Sequence, residues 1–164
     1  MFARGNRKQD IFIDDDDRWV YLRLLEKVVV KQQWRCLAYC LMRNHVHLLI
    51  ETPEPNLGAG MQRLHGVYAQ TVNERHGWKG HVFQGRYGAE RVKSDAQLLV
   101  TARYIARNPV AASLCREARE WPWSSHAAVV GGVAAPRWLD VGRLLAFFGA
   151  WGGEPRALYQ AFVR

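Results

Sequence analysis

The sequence has few cysteines, few acidic residues and no long apolar run. Its three cysteines, Cys36, Cys40 and Cys115, are odd in number and show no spacing typical of disulfide-bonded domains. Neither a signal peptide nor an apolar span long enough to cross a membrane is recognisable. We therefore expect a reduced, cytoplasmic protein with no membrane partner, and not a secreted domain held together by disulfides.

The shortage of acidic residues leaves the chain strongly basic. There are 23 lysines and arginines against 15 aspartates and glutamates, which gives a formal net charge of +8. Four of the acids are adjacent, Asp14 to Asp17, so the rest of the surface is more basic still. Such an excess predicts a polyanionic partner, and nucleic acid is the first candidate.

Internal repeats, low-complexity tracts and linkers are also absent. With 164 residues, of which 49% are apolar, the chain is large enough for one domain with a buried core. We predict one domain over residues 1–130 and a helical tail over residues 131–164 that packs on or near it.

What the sequence does contain is a short apolar stretch, residues 39–51, that carries two histidines. Prolines at 53 and 55 close the stretch, which is typical of a β-strand. Residues two apart in a strand point the same way, so His45 and His47 should project side by side while Val46 and Leu48 pack on the other face. Two imidazoles on rigid backbone form half of a divalent-metal site.

The predicted elements follow the order β-α-β-β-α-β. Residues 1–8 read as the end of a strand, finishing in a basic Gly-Asn turn, and the beginning of that strand looks missing. The later elements are a helix at 14–33, a hairpin of strands at 34–42 and 44–51, a helix at 56–76, a glycine-broken strand at 80–93, and helices at 94–108, 138–148 and 155–163. This order predicts an α+β fold, a ferredoxin-like antiparallel sheet with helices packed on one face and further C-terminal helices.

Several residues are predicted to begin or end these helices. The run Asp14 to Asp17 is interpreted as a helix start and not as a metal site, because the helix dipole favours anions there. Asn56 and Ser94 are predicted N-caps. Gly77 and Pro109 are predicted to end the second and third helices.

The third helix has a polar stripe. Its polar positions are spaced four, three and four apart, which aligns them on one face, and they are Gln97, Thr101, Tyr104 and Asn108. The opposite face, with Leu98, Ala102 and Ile105, should pack on the core. If this helix crosses the histidine strand, the Asn108 carbonyl becomes a third ligand beside His45 and His47, and Tyr104 faces whatever the metal holds.

Two histidines, an asparagine carbonyl and a tyrosine around one metal ion would suit attack on a phosphodiester. The diester resists attack because it is anionic, and a bound cation offsets the charge that grows in the transition state. A tyrosine hydroxyl is a poor nucleophile at neutral pH, with a free pKa of about 10, but placement beside a metal-held phosphate would help it. Attack would leave a covalent phosphotyrosine and a free strand-end hydroxyl that can reverse the step without ATP.

These residues also match known motifs. The triplet His45-Val46-His47 matches the histidine-hydrophobe-histidine motif of single-strand DNA-processing endonucleases and transposases, and Tyr104 with Asn108 matches their helix-borne tyrosine and third ligand. Four longer phrases occur in order along the chain, at residues 38–47, 83–87, 102–110 and 121–125. Together they resemble the REP-associated tyrosine transposases, relatives of the IS200/IS605 transposases, from about Arg4 to His126.

The resemblance implies a ferredoxin-like HUH transposase domain that depends on Mg²⁺ or Mn²⁺. It implies cleavage and rejoining of single-stranded DNA at hairpin-forming repeats, by a monomer or homodimer. It assigns His45, His47 and Asn108 as metal ligands and Tyr104 as the nucleophile that forms a 5′-phosphotyrosine. Relatives usually have a longer N-terminal strand, and the tail after Val130 matches nothing in them.

The basic and aromatic residues predict where DNA would bind. Trp78 and Tyr87 are candidate surfaces for base stacking. The candidate phosphate contacts are Arg4, Arg7, Arg86, Arg91 and Lys93.

Three alternatives stay open. A zinc site could use Cys36 and Cys40 with His65, His76 or His81, although no tight cysteine-histidine spacing supports it. A non-catalytic nucleic-acid-binding module, such as a domesticated repressor, would need the basic surface but no metal. A replication initiator or relaxase would share the metal motif, but those enzymes usually carry larger chains.

Overall fold

The computed structural model describes residues 1–164 and contains a three-stranded antiparallel sheet. The strands are β1 (Phe2–Arg4), β2 (Arg35–Leu41) and β3 (His45–Glu51), and β3 lies in the centre. The predicted hairpin of β2 and β3 is confirmed, as is the α+β class. The central position of β3 fixes its histidines from both sides.

Six helices surround the sheet. They are α1 (Asp15–Gln32), α2 (Leu57–His76), α3 (Asp95–Ala111), α4 (His126–Val129), α5 (Val141–Ala146) and α6 (Pro155–Val163), with single 3₁₀ turns at Asn6–Lys8, Ala118–Glu120 and Gly149–Trp151. None of these helices is both long enough and apolar enough to cross a membrane.

The helices cover both faces of the sheet. Val46 and Leu48 of β3 are fully buried, on the side where α1 packs against β2 and α2. On the other face, which carries His45 and His47, α3 packs against β2 and β3. The sheet is therefore the middle layer, and the histidines face α3.

Most predicted helix boundaries are confirmed. The Asp14 side chain accepts a hydrogen bond from the Asp17 amide at 3.0 Å, so the acidic run does begin α1. Ser94 accepts from the Gln97 amide at 3.2 Å, as an N-cap does. Gly77 ends α2 in the left-handed conformation, with φ of 65°.

Asn56 is the N-cap of α2 by position, as predicted, but its side chain makes no capping hydrogen bond. Asn56 Oδ1 instead accepts from Trp34 Nε1 at 2.6 Å, and Nδ2 donates to the Gln32 carbonyl at 2.9 Å. A buried indole N–H needs an acceptor, and this need outweighs the cap.

The strand predicted at 80–93 does not form. This segment runs beside β1 and pairs with it only at two isolated bridges, Gly5 with Phe83 and Phe2 with Gly88. Gly80 has a φ of 98°, which extended strand backbone does not adopt. The fourth strand of the ferredoxin-like order is thus replaced by an irregular segment along the sheet edge.

Pro109 does not end α3, which continues to Ala111. A proline inside a helix removes one backbone hydrogen bond and crowds the preceding turn. Here the proline is buried, and the helix ladder resumes with the Ala112 amide donating to the Asn108 carbonyl at 3.0 Å. We attribute the continuation to this burial.

Segments that follow α3 cover the outer edge of β2. The Leu41 amide donates to the Trp123 carbonyl at 2.8 Å, the Ser125 amide to the Tyr39 carbonyl at 3.0 Å, and the Asp140 amide to the Cys36 carbonyl at 2.8 Å. The division at residue 130 stays a prediction.

Two glycines of α2 provide a matched test of how closely this helix approaches Trp34. A Cβ atom at Gly60 would lie 2.2 Å from Trp34 Cζ2, whereas one at Gly66 would meet nothing within 4 Å. We expect Gly60→Ala to lower the free energy of unfolding by about 1–3 kcal/mol through overpacking. Gly66→Ala should raise it by about 0.5–1 kcal/mol, because glycine weakens a helix interior. Urea denaturation of both variants checks this, and equal stabilities would contradict the packing described.

Candidate active site

Two imidazoles lie side by side on the central strand. The ring centroids of His45 and His47 are 5.0 Å apart and the rings are almost perpendicular, at 88°. In the antiparallel register of β1 and β3, Phe2 pairs with His47 and Arg4 with His45. The Phe2 ring lies 5.1 Å from the His47 ring and 5.6 Å from the His45 ring, so β1 covers one side of the pair.

Helix α3 places Tyr104 and Asn108 over these histidines. Asn108 Oδ1 is 3.2 Å from His45 Nε2. The Tyr104 ring meets the His47 ring edge-on, with centroids 5.2 Å apart. One helical turn separates Tyr104 from Asn108, so each contacts one of the two histidines. The structure thus brings together the four residues singled out in the sequence, and their chemical roles stay predictions.

Both ring nitrogens of His45 face amide oxygens. Nδ1 lies 2.7 Å from Asn44 Oδ1, and Nε2 lies 3.2 Å from Asn108 Oδ1. A neutral imidazole carries only one N–H, so it can donate to only one of these two oxygens. His47 Nε2 is buried and has no hydrogen-bond partner in the protein. One amide oxygen therefore lacks a donor from His45, and the His47 nitrogen lacks any partner, an arrangement that a bound cation would satisfy.

Burial keeps both imidazoles neutral. Burial above all, and then the nearby positive groups of His45, the chain's amino terminus and Arg4, lower the pKa of His47 to about 3. Burial also lowers the pKa of His45, although the contact with Asn108 acts in the opposite direction. Neutral imidazole is the form that binds metals, so both lone pairs are available at neutral pH.

Two imidazole nitrogens and an amide oxygen fit a divalent cation that accepts mixed ligands, such as Mn²⁺ or Mg²⁺. Three protein ligands would leave coordination positions for an oxygen of a substrate. Tyr104 is 56% exposed and its hydroxyl makes no hydrogen bond within the chain. A substrate held at the histidines could therefore reach that hydroxyl.

The alternative zinc site is not assembled. Cys36 and Cys40 are fully buried, and burial raises the pKa of both thiols. His65 stacks on Phe83 with ring centroids 4.2 Å apart, and His76 contacts Asp17. No group of three metal-ligating side chains includes a cysteine.

A second group of ligand-type side chains consists of Asp14, Asp17 and His76. The positive charge beside these carboxylates is the Arg75 guanidinium, which contacts Asp14 at 2.7 Å and Asp17 at 2.5 Å. The hydrogen bonds from Arg75 and from the Asp17 amide, in that order, lower the pKa of Asp14 to about 2. This group acts as an ion-pair network that joins the start of α1 to the end of α2.

The predicted phosphate contacts lie on and around β1. Arg4 is partly buried next to His45, and its guanidinium lies 5.5 Å from the Phe2 ring centroid. Arg7 is exposed in the turn after β1, with φ of 51°. Arg86, Arg91 and Lys93 are exposed along the irregular segment that borders β1. None of these five residues forms an ion pair with a carboxylate, so their charges are free to meet an anion.

The two candidate stacking residues differ in accessibility. Trp78 is 41% exposed and lies 5.1 Å from the His76 ring, beyond the C-terminal end of α2. Tyr87 is half-buried against the core. Of the two, Trp78 offers the larger free surface.

Sequence reasoning missed two residues of the site, Phe2 and Asn44. Phe2 contributes through the pairing of β1 with β3, which no local pattern encodes. Asn44 had a signal, since it directly precedes His45 at the hairpin turn. There its side chain can contact a neighbouring ring on one side and the Lys8 carbonyl, at 3.0 Å, on the other.

Comparison with known proteins gives two matches. The family model described as "Transposase IS200 like" matches residues 1–108. A solved structure of a REP-associated tyrosine transposase bound to a REP hairpin is similar to this one with a TM-score of 0.66, at 18% sequence identity, over 85% of this chain and 84% of the other. At that identity the structural likeness establishes the fold. No match was found among curated proteins.

The family model spans the strand with both histidines and the helix as far as Asn108, so it contains every residue of the site described above. Its match to residues 1–108 covers more than half of the 164 residues. This chain belongs to the IS200-like transposase family.

Proposed function

We propose that this protein cleaves and rejoins single-stranded DNA at hairpin-forming repeats through a 5′-phosphotyrosine at Tyr104. The observation that carries the proposal is the position of Tyr104, an exposed phenol edge-on to a buried, neutral His47. Membership of the transposase family supports a DNA substrate. The similar solved transposase is bound to a REP hairpin, which supports the choice of a hairpin substrate here.

The transfer begins at the Tyr104 hydroxyl. Its oxygen attacks the phosphorus, a bond from phosphorus to the phenol oxygen forms, and the bond to the 3′ oxygen breaks. The phenol proton passes to water, because the hydroxyl is exposed, and the leaving 3′ oxygen takes up a proton. The reverse attack by a 3′-hydroxyl restores the phosphodiester, so strand exchange needs no ATP.

The residues that would hold a cation are His45, His47 and Asn108. When bound, Mg²⁺ or Mn²⁺ would supply positive charge that offsets the charge growing on the phosphate. Asn44 holds the His45 ring with Nε2 directed at Asn108, and the packing of Phe2 against both rings excludes water from that side. The phosphates that flank the cleaved bond would be bound by the five basic residues that form no ion pair with a carboxylate, which are Arg4, Arg7, Arg86, Arg91 and Lys93.

Replacement of Tyr104 by phenylalanine removes the attacking oxygen and keeps the ring. We expect Tyr104→Phe to form no covalent adduct with a labelled single-stranded hairpin in Mn²⁺, while the Kd changes by no more than about twofold. Tyr39→Phe is the matched control, because Tyr39 is buried and its hydroxyl makes no hydrogen bond. The adduct is detected by denaturing gel electrophoresis.

Chelation separates the proposed enzyme from a non-catalytic binding module. EDTA should abolish the adduct of the unmodified protein, and added Mn²⁺ should restore it. An adduct of undiminished yield from Tyr104→Phe would refute the nucleophile. Hairpin binding without any adduct from the unmodified protein would favour the binding module.

The contact between Asn44 and His45 predicts an effect on metal affinity. Asn44→Ala should weaken Mn²⁺ binding by about 10- to 100-fold, because the ring loses the partner that fixes its orientation. Asn44→Asp keeps an acceptor for His45 Nδ1 and should bind Mn²⁺ more tightly than Asn44→Ala. Both variants lose the hydrogen bond to the Lys8 carbonyl, so the loss of that bond does not contribute to their difference. Equal affinities in calorimetric titration would show that this contact does not tune the site.

The basic residues predict a salt dependence. Arg86→Ala and Arg91→Ala should each weaken binding of the single-stranded hairpin and flatten the plot of log Kd against log salt by about 0.7 per lost phosphate contact. Arg23→Ala is the control, because Arg23 is exposed on α1 and forms no ion pair. Slopes equal to that of the control, measured by fluorescence anisotropy, would remove these two arginines from the interface.

A further inference from the structure

Helix α3 carries two parallel rows of side chains. Tyr104 and Asn108 face the histidines of β3. Arg103 and Arg107 each precede one of them in sequence, which places them about 100° further round the helix. That second row faces the C-terminal helix, α6.

The contacts of this second row are specific. Arg107 Nη1 donates to the Val163 carbonyl at 2.9 Å and also to the Arg164 carbonyl. These carbonyls lie at the C-terminal end of α6, where the helix has no partners for them and where its dipole attracts a cation. The Arg103 guanidinium lies 5.6 Å from the centre of the Phe162 ring. Two consecutive turns of α3 are therefore attached to the last turn of α6.

Helix α6 is itself fixed to the rest of the chain. Arg156 Nη1 donates to the Val129 carbonyl at 2.7 Å, at the end of α4. The buried Tyr159 hydroxyl lies 3.3 Å from His126 Nδ1. Phe148 packs against the rings of Tyr159 and Phe162, with centroids 5.7 and 5.8 Å away. Because α6 is held along its length, it is a firm support for α3.

Although α3 packs on the sheet through its buried residues, the two site side chains that it carries make few contacts of their own. Tyr104 has a single ring contact and Asn108 a single side-chain contact, and both are with the histidines. A small rotation of α3 about its axis would shift the Tyr104 hydroxyl, and a misplacement of about 1 Å can cost about 100-fold in rate.

We propose that Arg107 is a positioning residue, which braces α3 against the C-terminal end of α6 and so holds Tyr104 over the histidine pair. The inference rests on the proposed function, because positioning matters only if Tyr104 is the nucleophile. It assigns residues 155–164 a part in the reaction although they lie outside the span of the family model.

The test compares rates of adduct formation in single turnover, at saturating labelled hairpin and Mn²⁺. Arg107→Met keeps the length of the side chain but has no donor, and we expect its rate to fall by about 10- to 100-fold with a Kd within about twofold of the unmodified protein. Arg107→Lys keeps one charged donor and should have an intermediate rate. Arg23→Met, the same substitution on an exposed arginine without an ion pair, should leave the rate unchanged.

A second measurement reports position without activity. The edge-on contact between the Tyr104 and His47 rings should give a nuclear Overhauser signal in the unmodified protein and in Arg23→Met, and this signal should weaken in Arg107→Met. Thermal melting shows whether each variant is folded. If Arg107→Met does not fold, Arg107→Lys takes its place in both measurements and must show a reduced rate and a weakened signal.

The outcomes distinguish the two proposals. If the unmodified protein forms an adduct and the folded Arg107 variant forms it at the same rate, the bracing role is wrong. A loss of rate that comes with an equal loss of hairpin affinity, or with an unchanged ring signal, also refutes it. If the unmodified protein forms no adduct, the proposed function fails, and the ring signal of the variant alone decides whether Arg107 positions Tyr104.

Discussion

The packing of α3 across β3 is the contact on which the site depends. Two imidazoles lie on one face of the strand, and α3 adds an amide oxygen and a phenol from successive turns. Asn108 Oδ1 lies 3.2 Å from His45 Nε2, and the Tyr104 ring meets the His47 ring edge-on. The spacing of the histidines along the strand matches the spacing of Tyr104 and Asn108 along the helix. Two residues advance a strand by about the same distance as one turn advances a helix.

Burial gives the site its electrostatic character. The imidazoles are neutral because they are desolvated and lie near Arg4 and the amino terminus. The basic residues further out, Arg7, Arg86, Arg91 and Lys93, are exposed and unpaired. A polyanion would thus meet positive charge at the rim and neutral donor atoms at the centre. This division agrees with the proposed function, in which the site attracts a phosphate backbone and holds a cation.

The C-terminal third of the chain supports this arrangement from two directions. Residues 121–125 and 139–140 satisfy the backbone of the β2 edge, which would otherwise be free to pair with another chain. Helix α6 reaches the far side of α3 through Arg103 and Arg107. The sheet and the tyrosine-bearing helix are therefore both stabilised by segments beyond the family's shared region.

The sequence was sufficient for the features that depend on local periodicity. The alternation of His45, Val46 and His47 placed both imidazoles on one face, and the spacing of Tyr104 and Asn108 aligned them on one side of a helix. Asp14, Ser94 and Gly77 were also recognisable as helix ends, because caps are short-range interactions. The errors came where a distant partner competed with the local pattern. The Asn56 side chain, at the N-cap of α2, bonds to Trp34 and not to the amides of the first turn, and a buried Pro109 lies within α3 and does not end it.

The sequence by itself thus determined which side chains could cooperate: a pair of histidines, a tyrosine, an asparagine and a basic surface. Only the tertiary structure decided that α3 crosses the histidine strand, that Phe2 and Asn44 complete the surroundings of the rings, and that Arg107 ties α3 to α6. The physical reason is the range of the interactions. Strand alternation and helical spacing are fixed by neighbouring residues, whereas the site depends on contacts between residues about 45 to 63 positions apart, which form only when the core packs.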